Sequence, residues 1–219
     1  MIKLTYFNIR GRAEIIRLIL EETETPYIDE FVELEQWAAL KPTLPLQQLP
    51  VYTYMDEEGH NLLFQSHAIY RHLARKHNLY GKNETEHTRC DIVEETCKDI
   101  RTALFGLFWN PEFDALRKQF ESEQLPVFIQ QLERLLQRNS ESDLCFVGNQ
   151  LTYVDFIVWA LLDCIRPLSP ASLDQSSLLT AFKSHFAKRP RINAYLQSER
   201  RPKTITVPRA FFGCTVETS

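Results

Sequence analysis

The sequence predicts a two-domain chain: a mixed α/β unit over residues 1–77, a linker at 78–83, and an all-helical unit over 84–219. Three observations carry this. Short β-prone runs alternate with helical patterns as far as His77. Strand signals then largely vanish after Glu84, and long patterns of 3.6-residue period take over. Finally, 219 residues suffice for one large domain or two small ones.

In chain order, Lys3–Phe7 is the first strand and Arg12–Glu22 the first helix, with Ala13, Ile16, Ile19 and Leu20 at helical spacing. Tyr27–Val32 is a second strand. A stretch punctuated by Pro42, Pro45 and Pro50 follows. Val51–Tyr54 and Leu62–Gln65 then flank Asp56-Glu57-Glu58-Gly59 as a hairpin. Ser66 is the expected N-cap of a helix that runs to about His77. The order βαβ then ββα implies a small mixed sheet with helices packed on it.

Helical patterns in the second half cover 84–109, 112–138, 153–166, 176–188 and 191–198. Thr152 and Asp155 have capping-box spacing, and Pro190 suits a first helical turn; all are folding determinants. The basic stretch from Arg191 to Lys203 reads as a solvated helix end and tail.

Composition narrows the function. Hydrophobic residues make up 44% and charged residues 25%, as in ordinary globular proteins. A net charge of −4 and the lack of a basic stripe give no case for nucleic acid. The N-terminus has no apolar h-region, and the longest apolar run, Phe156–Leu162, is too short to span a membrane. The five cysteines (Cys90, Cys97, Cys145, Cys164, Cys214) include no CxxC, which favours reduced thiols in the cytoplasm. Cys90 and Cys97 share a helix face, as packing residues. No GxGxxG or P-loop can be written from the six glycines. His67, His72 and His77 are five apart, about 140° round a helix, so no metal site is expected there.

Three segments together resemble the cytosolic glutathione transferases. The first is Leu4-Thr5-Tyr6-Phe7-Asn8-Ile9-Arg10-Gly11-Arg12-Ala13, a strand that ends in Tyr and leads into a helix. The second is Gln48-Leu49-Pro50, followed by Gln65-Ser66-His67-Ala68-Ile69-Tyr70. The third is Val147-Gly148-Asn149-Gln150-Leu151-Thr152-Tyr153-Val154-Asp155-Phe156. The resemblance spans essentially the whole chain. Its first segment looks like the sigma class, Leu79-Tyr80-Gly81-Lys82 and Asp99-Ile100-Arg101 like the pi class, and Val207–Gly213 like a mu-class tail; the balance is pi-like.

The resemblance implies a thioredoxin-like N-terminal domain, a homodimer, and glutathione as co-substrate with no metal. It also implies conjugation of the glutathione thiol to hydrophobic electrophiles in detoxification. A free cysteine thiol of pKa about 8.5 is only a few per cent thiolate at neutral pH. Lowering that pKa by about 2 units takes about 2.7 kcal/mol, within reach of one or two hydrogen bonds to a charged group.

Tyr6 is the residue implied as donor to the sulfur anion, with Arg12 in support. By position alone, Tyr6 would be no more than an aromatic packed in a strand. Gln65 and Ser66 are implied at the γ-glutamyl carboxylate, and the Leu49 backbone, before a cis Pro50, at the cysteinyl backbone. Trp37, Lys41 and Gln48 are implied at the glycyl carboxylate, and Asp99 at the glutamyl amine of the neighbouring subunit. Phe7, Ile9 and Trp109 are the implied lining of the electrophile pocket, with the chain beyond Thr204 as its lid. Trp109 stands where pi-class enzymes carry a tyrosine.

Two departures from the family stand out. Gln47 replaces a glycine whose place calls for positive φ. Leu46 replaces an aromatic key that plugs the partner subunit, which implies a weaker or differently locked dimer. The alternative readings are a non-catalytic carrier of hydrophobic ligands or regulatory binding protein, and a glutathione-dependent isomerase of the prostaglandin type.

Overall fold

The computed structural model describes residues 1–57 and 59–214. The first half is β1 (Ile2–Tyr6), α1 (Glu14–Glu22), β2 (Tyr27–Phe31), α2 (Leu34–Leu40) with a 3-10 turn at Lys41–Thr43, β3 (Val51–Asp56), β4 (Gly59–Phe64) and α3 (Ser66–Lys76). The sheet order is β2-β1-β3-β4. β1 runs parallel to β2, with Tyr6 opposite Phe31, and antiparallel to β3, with Thr5 opposite Val51. β3 and β4 form the expected hairpin. Its strands run on to Asp56 and resume at Gly59, so the turn is tighter than the loop of four predicted; Glu58 of that loop lies outside the described residues.

α1 is buried nearly all round, with Ile15, Ile16, Leu18, Ile19 and Leu20 at 1% exposure or less. That suits an apolar helix sandwiched between neighbours.

The second half is α4 (Glu84–Phe108), α5 (Phe113–Gln119), a π-helical turn (Phe120–Gln124), α6 (Leu125–Gln137), α7 (Tyr153–Leu168), α8 (Pro170–Asp174), α9 (Ser177–Ala187) and α10 (Pro190–Leu196). Pro190 begins α10 as expected. The helix expected at 112–138 runs without a gap from Phe113 to Gln137, but it contains a π turn. Pro126, in the first turn of α6, has no N–H to give to the preceding turn, so the chain widens into π geometry just before it. The short α8 was not foreseen; it lies between the patterns read at 153–166 and 176–188.

The capping box is present: the Asp155 carboxylate accepts from Thr152 N–H at 2.7 Å and Thr152 Oγ at 3.0 Å, and also from Phe146 N–H at 2.8 Å. Cys90 and Cys97 are buried packing residues.

The basic stretch from Arg191 to Lys203 is not simply solvated. Arg191 donates to the Glu22 carbonyl, Arg200 to the Glu21 carboxylate and Arg201 to Glu14. Arginines spaced along α10 and the tail therefore staple the helical half onto α1.

Candidate active site

Tyr6 is the last residue of β1, an inner strand pinned between β2 and β3. Its ring is 7% exposed, and its hydroxyl oxygen accepts the Arg12 backbone N–H at 3.1 Å. The bond uses an oxygen lone pair and leaves the phenol hydrogen free to be donated elsewhere. Two residues not assigned from sequence hold this geometry. Gly11 sits at φ +44, where an added Cβ would stand 2.6 Å from the Tyr6 oxygen. Only glycine lets the turn close on the ring. Tyr70, on α3, donates its hydroxyl to the Arg12 carbonyl at 2.6 Å. Burial pushes the Tyr70 phenol up, so it stays a neutral donor. The signals for both were present, as a glycine five residues after Tyr6 and an aromatic on the buried face of α3, but neither reveals its partner.

Arg12 is not the first-turn helical residue expected: α1 begins at Glu14. Its side chain is exposed and makes no ion pair among the described residues. The turn is held from the other side by the C-terminal segment, since Arg10 N–H bonds to the Thr204 carbonyl (2.8 Å) and Gly11 N–H to Ile205 (3.1 Å). The same segment reaches α4 through Phe211 N–H to the Phe108 carbonyl (2.8 Å), with Phe212 packed on Phe108 and Phe113. The described part of the chain beyond Thr204 thus bridges the Arg12 turn and the end of α4, where Trp109 stands 46% exposed.

Phe7 packs between Tyr6 and Trp37. Its ring lies 5.7 Å from Tyr6 and 5.7 Å, edge-on, from Trp37. Ile9 packs against the core at its periphery. Trp37 and Lys41 are one turn apart where α2 ends, and Lys41 is exposed with no ion pair among the described residues.

The Leu49–Pro50 bond is cis, and Gln47 adopts φ +51, the left-handed conformation its glycine-like place implied. Gln48 and Gln65 meet, Gln65 Nε2 donating to Gln48 Oε1 at 3.1 Å. Ser66 is not the N-cap predicted. Gln65 takes that place with φ +67, and Ser66 is the first helical residue, 3% exposed. The kink at Gln65 carries its side chain toward Gln48. Asp99 is exposed on α4 and joins none of these contacts.

Beneath the Gln65–Ser66 turn lies a buried carboxylate that the sequence reading passed over. Glu94, wholly buried on α4, accepts from His67 Nδ1 (2.7 Å), Arg71 Nε (2.7 Å) and the Tyr153 hydroxyl (2.6 Å). Burial opposes its charge, but the bonds from His67 and Tyr153 and the Arg71 charge outweigh it and hold the carboxyl below its usual range.

Comparison with known proteins decides the family. Residues 2–75 match the family model "Glutathione S-transferase, N-terminal domain", and residues 98–199 match "Glutathione S-transferase, C-terminal domain". Glutathione S-transferase P of Caenorhabditis elegans is 37% identical over 195 residues, 89% of this chain and 91% of that protein. The chain belongs to the glutathione S-transferase family.

Human glutathione S-transferase Mu 3 is likewise 37% identical, over 90% of this chain and 88% of its own. The solved pi-class glutathione S-transferase of Onchocerca volvulus superposes with a TM-score of 0.87 at 29% identity, over 95% of this chain and 99% of that one. The fold is that of the glutathione S-transferases, a thioredoxin-like domain with a mixed four-stranded sheet followed by a helical domain. The chain is accordingly an enzyme with glutathione transferase activity of the detoxifying kind.

Proposed function

We propose that this transferase activates glutathione at Tyr6 and delivers the thiolate to hydrophobic electrophiles. One observation carries the reading: the Tyr6 oxygen is engaged as an acceptor by Arg12 N–H, which leaves its O–H free to donate to a sulfur anion. Arg12, exposed and without an ion pair among the described residues, adds positive charge beside that sulfur. Gln65 and Ser66, at the start of α3, bind the γ-glutamyl carboxylate with help from the helix N-terminus. The Leu49 backbone before cis-Pro50 pairs with the cysteinyl backbone, and Trp37, Lys41 and Gln48 take the glycyl carboxylate. Phe7, Ile9 and Trp109 line the electrophile side, where apolar walls desolvate the reactants. On a chloronitrobenzene, sulfur attacks the carbon that bears chlorine; the S–C bond forms and chloride leaves with the bonding electrons.

The remaining features belong to the same reading. Residues 1–77 form the glutathione-binding unit, 78–83 the linker and 84–219 the helical unit. The enzyme works in the cytoplasm with reduced thiols, Cys90, Cys97, Cys145, Cys164 and Cys214 being free. It uses no metal and binds neither nucleic acid nor membrane; no helix among the described residues is long and apolar enough to cross one.

It acts as a homodimer. Leu46, 49% exposed, seats in the partner's pocket lined by Ile92, Val93, Leu135 and Phe146, and Asp99 reaches the glutamyl amine across that interface.

The test is conjugation of glutathione to a chloronitrobenzene by the native chain and by Tyr6→Phe. Turnover that falls by about 10²-fold in the folded variant is the expected result. Glutathione binding without native turnover would leave a carrier or isomerase instead, and equal rates in both proteins would remove Tyr6 from the mechanism.

A further inference from the structure

We propose that Arg101 gives this enzyme a preference for electrophiles that carry a carboxylate, which it binds from the α4 wall of the cleft. The proposal rests on the transferase reading above and names its substrate class.

Every other arginine buried to a comparable depth has a carboxylate. Arg10 pairs with Asp163, Arg17 with Asp29, Arg189 with Glu22, and Arg201 with Glu14 and Asp163. Arg101 pairs with none among the described residues, and its Nη2 is buried without a hydrogen-bond partner. A guanidinium cannot shed its proton to escape this cost, so Nη2 keeps a donor for an acceptor that the described residues do not supply.

The local geometry says where that acceptor sits. The guanidinium carbon lies 4.4 Å from the centroid of the Phe105 ring. Phe105 thus packs against the cation, and the unpartnered Nη2 is the donor offered to a ligand. Arg101, Phe105 and Trp109 are spaced by four on α4 and share one side of it. The cation therefore stands in line with the exposed indole at the electrophile end.

Across the domain boundary Arg101 lies close enough to Tyr70 to pull that phenol back down against its burial. Tyr70 holds the Arg12 carbonyl, so Arg101 is near the turn that supports Tyr6. Arg12 and Lys41 also lack ion pairs among the described residues, so a chain of net charge −4 brings uncompensated positive charge to its cleft. In the proposed pose Arg12 serves the glutathione sulfur and Lys41 the glycyl carboxylate, and Arg101 is left for the second substrate. A carboxylate, planar and bidentate, matches a guanidinium fork better than any neutral group.

The experiment compares 4-chloro-3-nitrobenzoate with 4-chloro-3-nitrobenzamide, of similar size and shape, one carrying a carboxylate and the other a neutral amide para to the reacting carbon. Each rate is corrected for its uncatalysed reaction. The acid-over-amide ratio of kcat/KM should fall by about tenfold or more in Arg101→Met, the loss of a charge-assisted hydrogen bond, and be partly kept in Arg101→Lys. Calorimetric binding of unreactive 4-methyl-3-nitrobenzoate and its amide should show the same ordering. That arm reads Arg101 even in a chain that does not turn over, so failure of the transferase reading and of the Arg101 assignment are told apart. An unchanged ratio in Arg101→Met overturns the proposal. So does a loss that falls on the KM for glutathione while the ratio holds, since Arg101 then serves the first substrate. Arg101→Lys keeps the comparison readable if Arg101→Met does not fold.

Discussion

Tyr6 reaches its task through two neighbours that never touch the reacting sulfur in the proposed pose. Gly11 folds the turn onto the ring, and Tyr70 fastens the turn from below. Gly11→Ala would put a carbon 2.6 Å from the Tyr6 oxygen at φ +44, so the turn must move and take the Arg12 N–H away. Conjugation should fall by more than tenfold in a protein that still melts cooperatively; assay and thermal melt, measured side by side, check this. Tyr70→Phe leaves a carbonyl without its donor and should cost about 1–2 kcal/mol of stability, read from denaturant unfolding. Gln47 shows the converse. It holds a left-handed conformation that glycine adopts without penalty, so Gln47→Gly should stabilise the chain by about 1 kcal/mol.

At the scale of elements, the question is what keeps the start of α3 aligned with the helical half. Glu94 supplies the tie, since one buried carboxylate on α4 holds His67 and Arg71 of α3 and Tyr153 of α7. Its folded pKa is depressed below the ordinary value of 4.5. The stability it contributes is therefore fully present above about pH 4.5 and is lost as pH falls through the folded pKa. Glu94→Gln should lower the melting temperature at pH 7 and flatten its decline below pH 5; a parallel shift of the whole profile would contradict this account. Because Ser66 and His67 are adjacent, the same variant should raise the KM for glutathione more than it lowers kcat. Pro126 acts at this scale too, since the one helical run after α4 passes from α5 to α6 through a π turn just before it.

Across the whole molecule, the two halves are joined by arginines rather than by apolar contact alone. Arg189, Arg191, Arg200 and Arg201 reach Glu22, Glu21 and Glu14, and Arg10 reaches back to Asp163 on α7. Asp163 keeps its charge despite burial because Arg201, Arg10 and Lys183 surround it. Assembly is the other property of this scale. A leucine buries less area than an aromatic ring, so Leu46→Phe should tighten the proposed dimer and Leu46→Asp loosen it. Sedimentation velocity over a dilution series reads both; no change in either variant would mean that Leu46 is not at the interface.

Much of this protein is legible in local patterns, and the physical reason is the range over which each cause acts. The βαβ-ββα order, the long helices, the Thr152–Asp155 capping box and the start of α10 at Pro190 depend on residues within a turn or two of one another. Alternation, periodicity and spacing therefore report them. The positive φ at Gln47 and the cis bond at Leu49–Pro50 followed from likeness to a family, because an eleven-residue stretch with three prolines carries no period of its own. The exact cap at Gln65, the π turn before Pro126 and the stapling role of the Arg191–Lys203 stretch were misread or missed. In each, a neighbour in space or a clash within the chain outweighed the local preference. The Tyr70–Arg12 and Glu94–His67–Tyr153 contacts join residues 58, 27 and 59 positions apart. No period reaches that far: such pairs exist only once the sheet, α3, α4 and α7 have packed, and burial then makes each polar group depend on the partner that the fold brings to it.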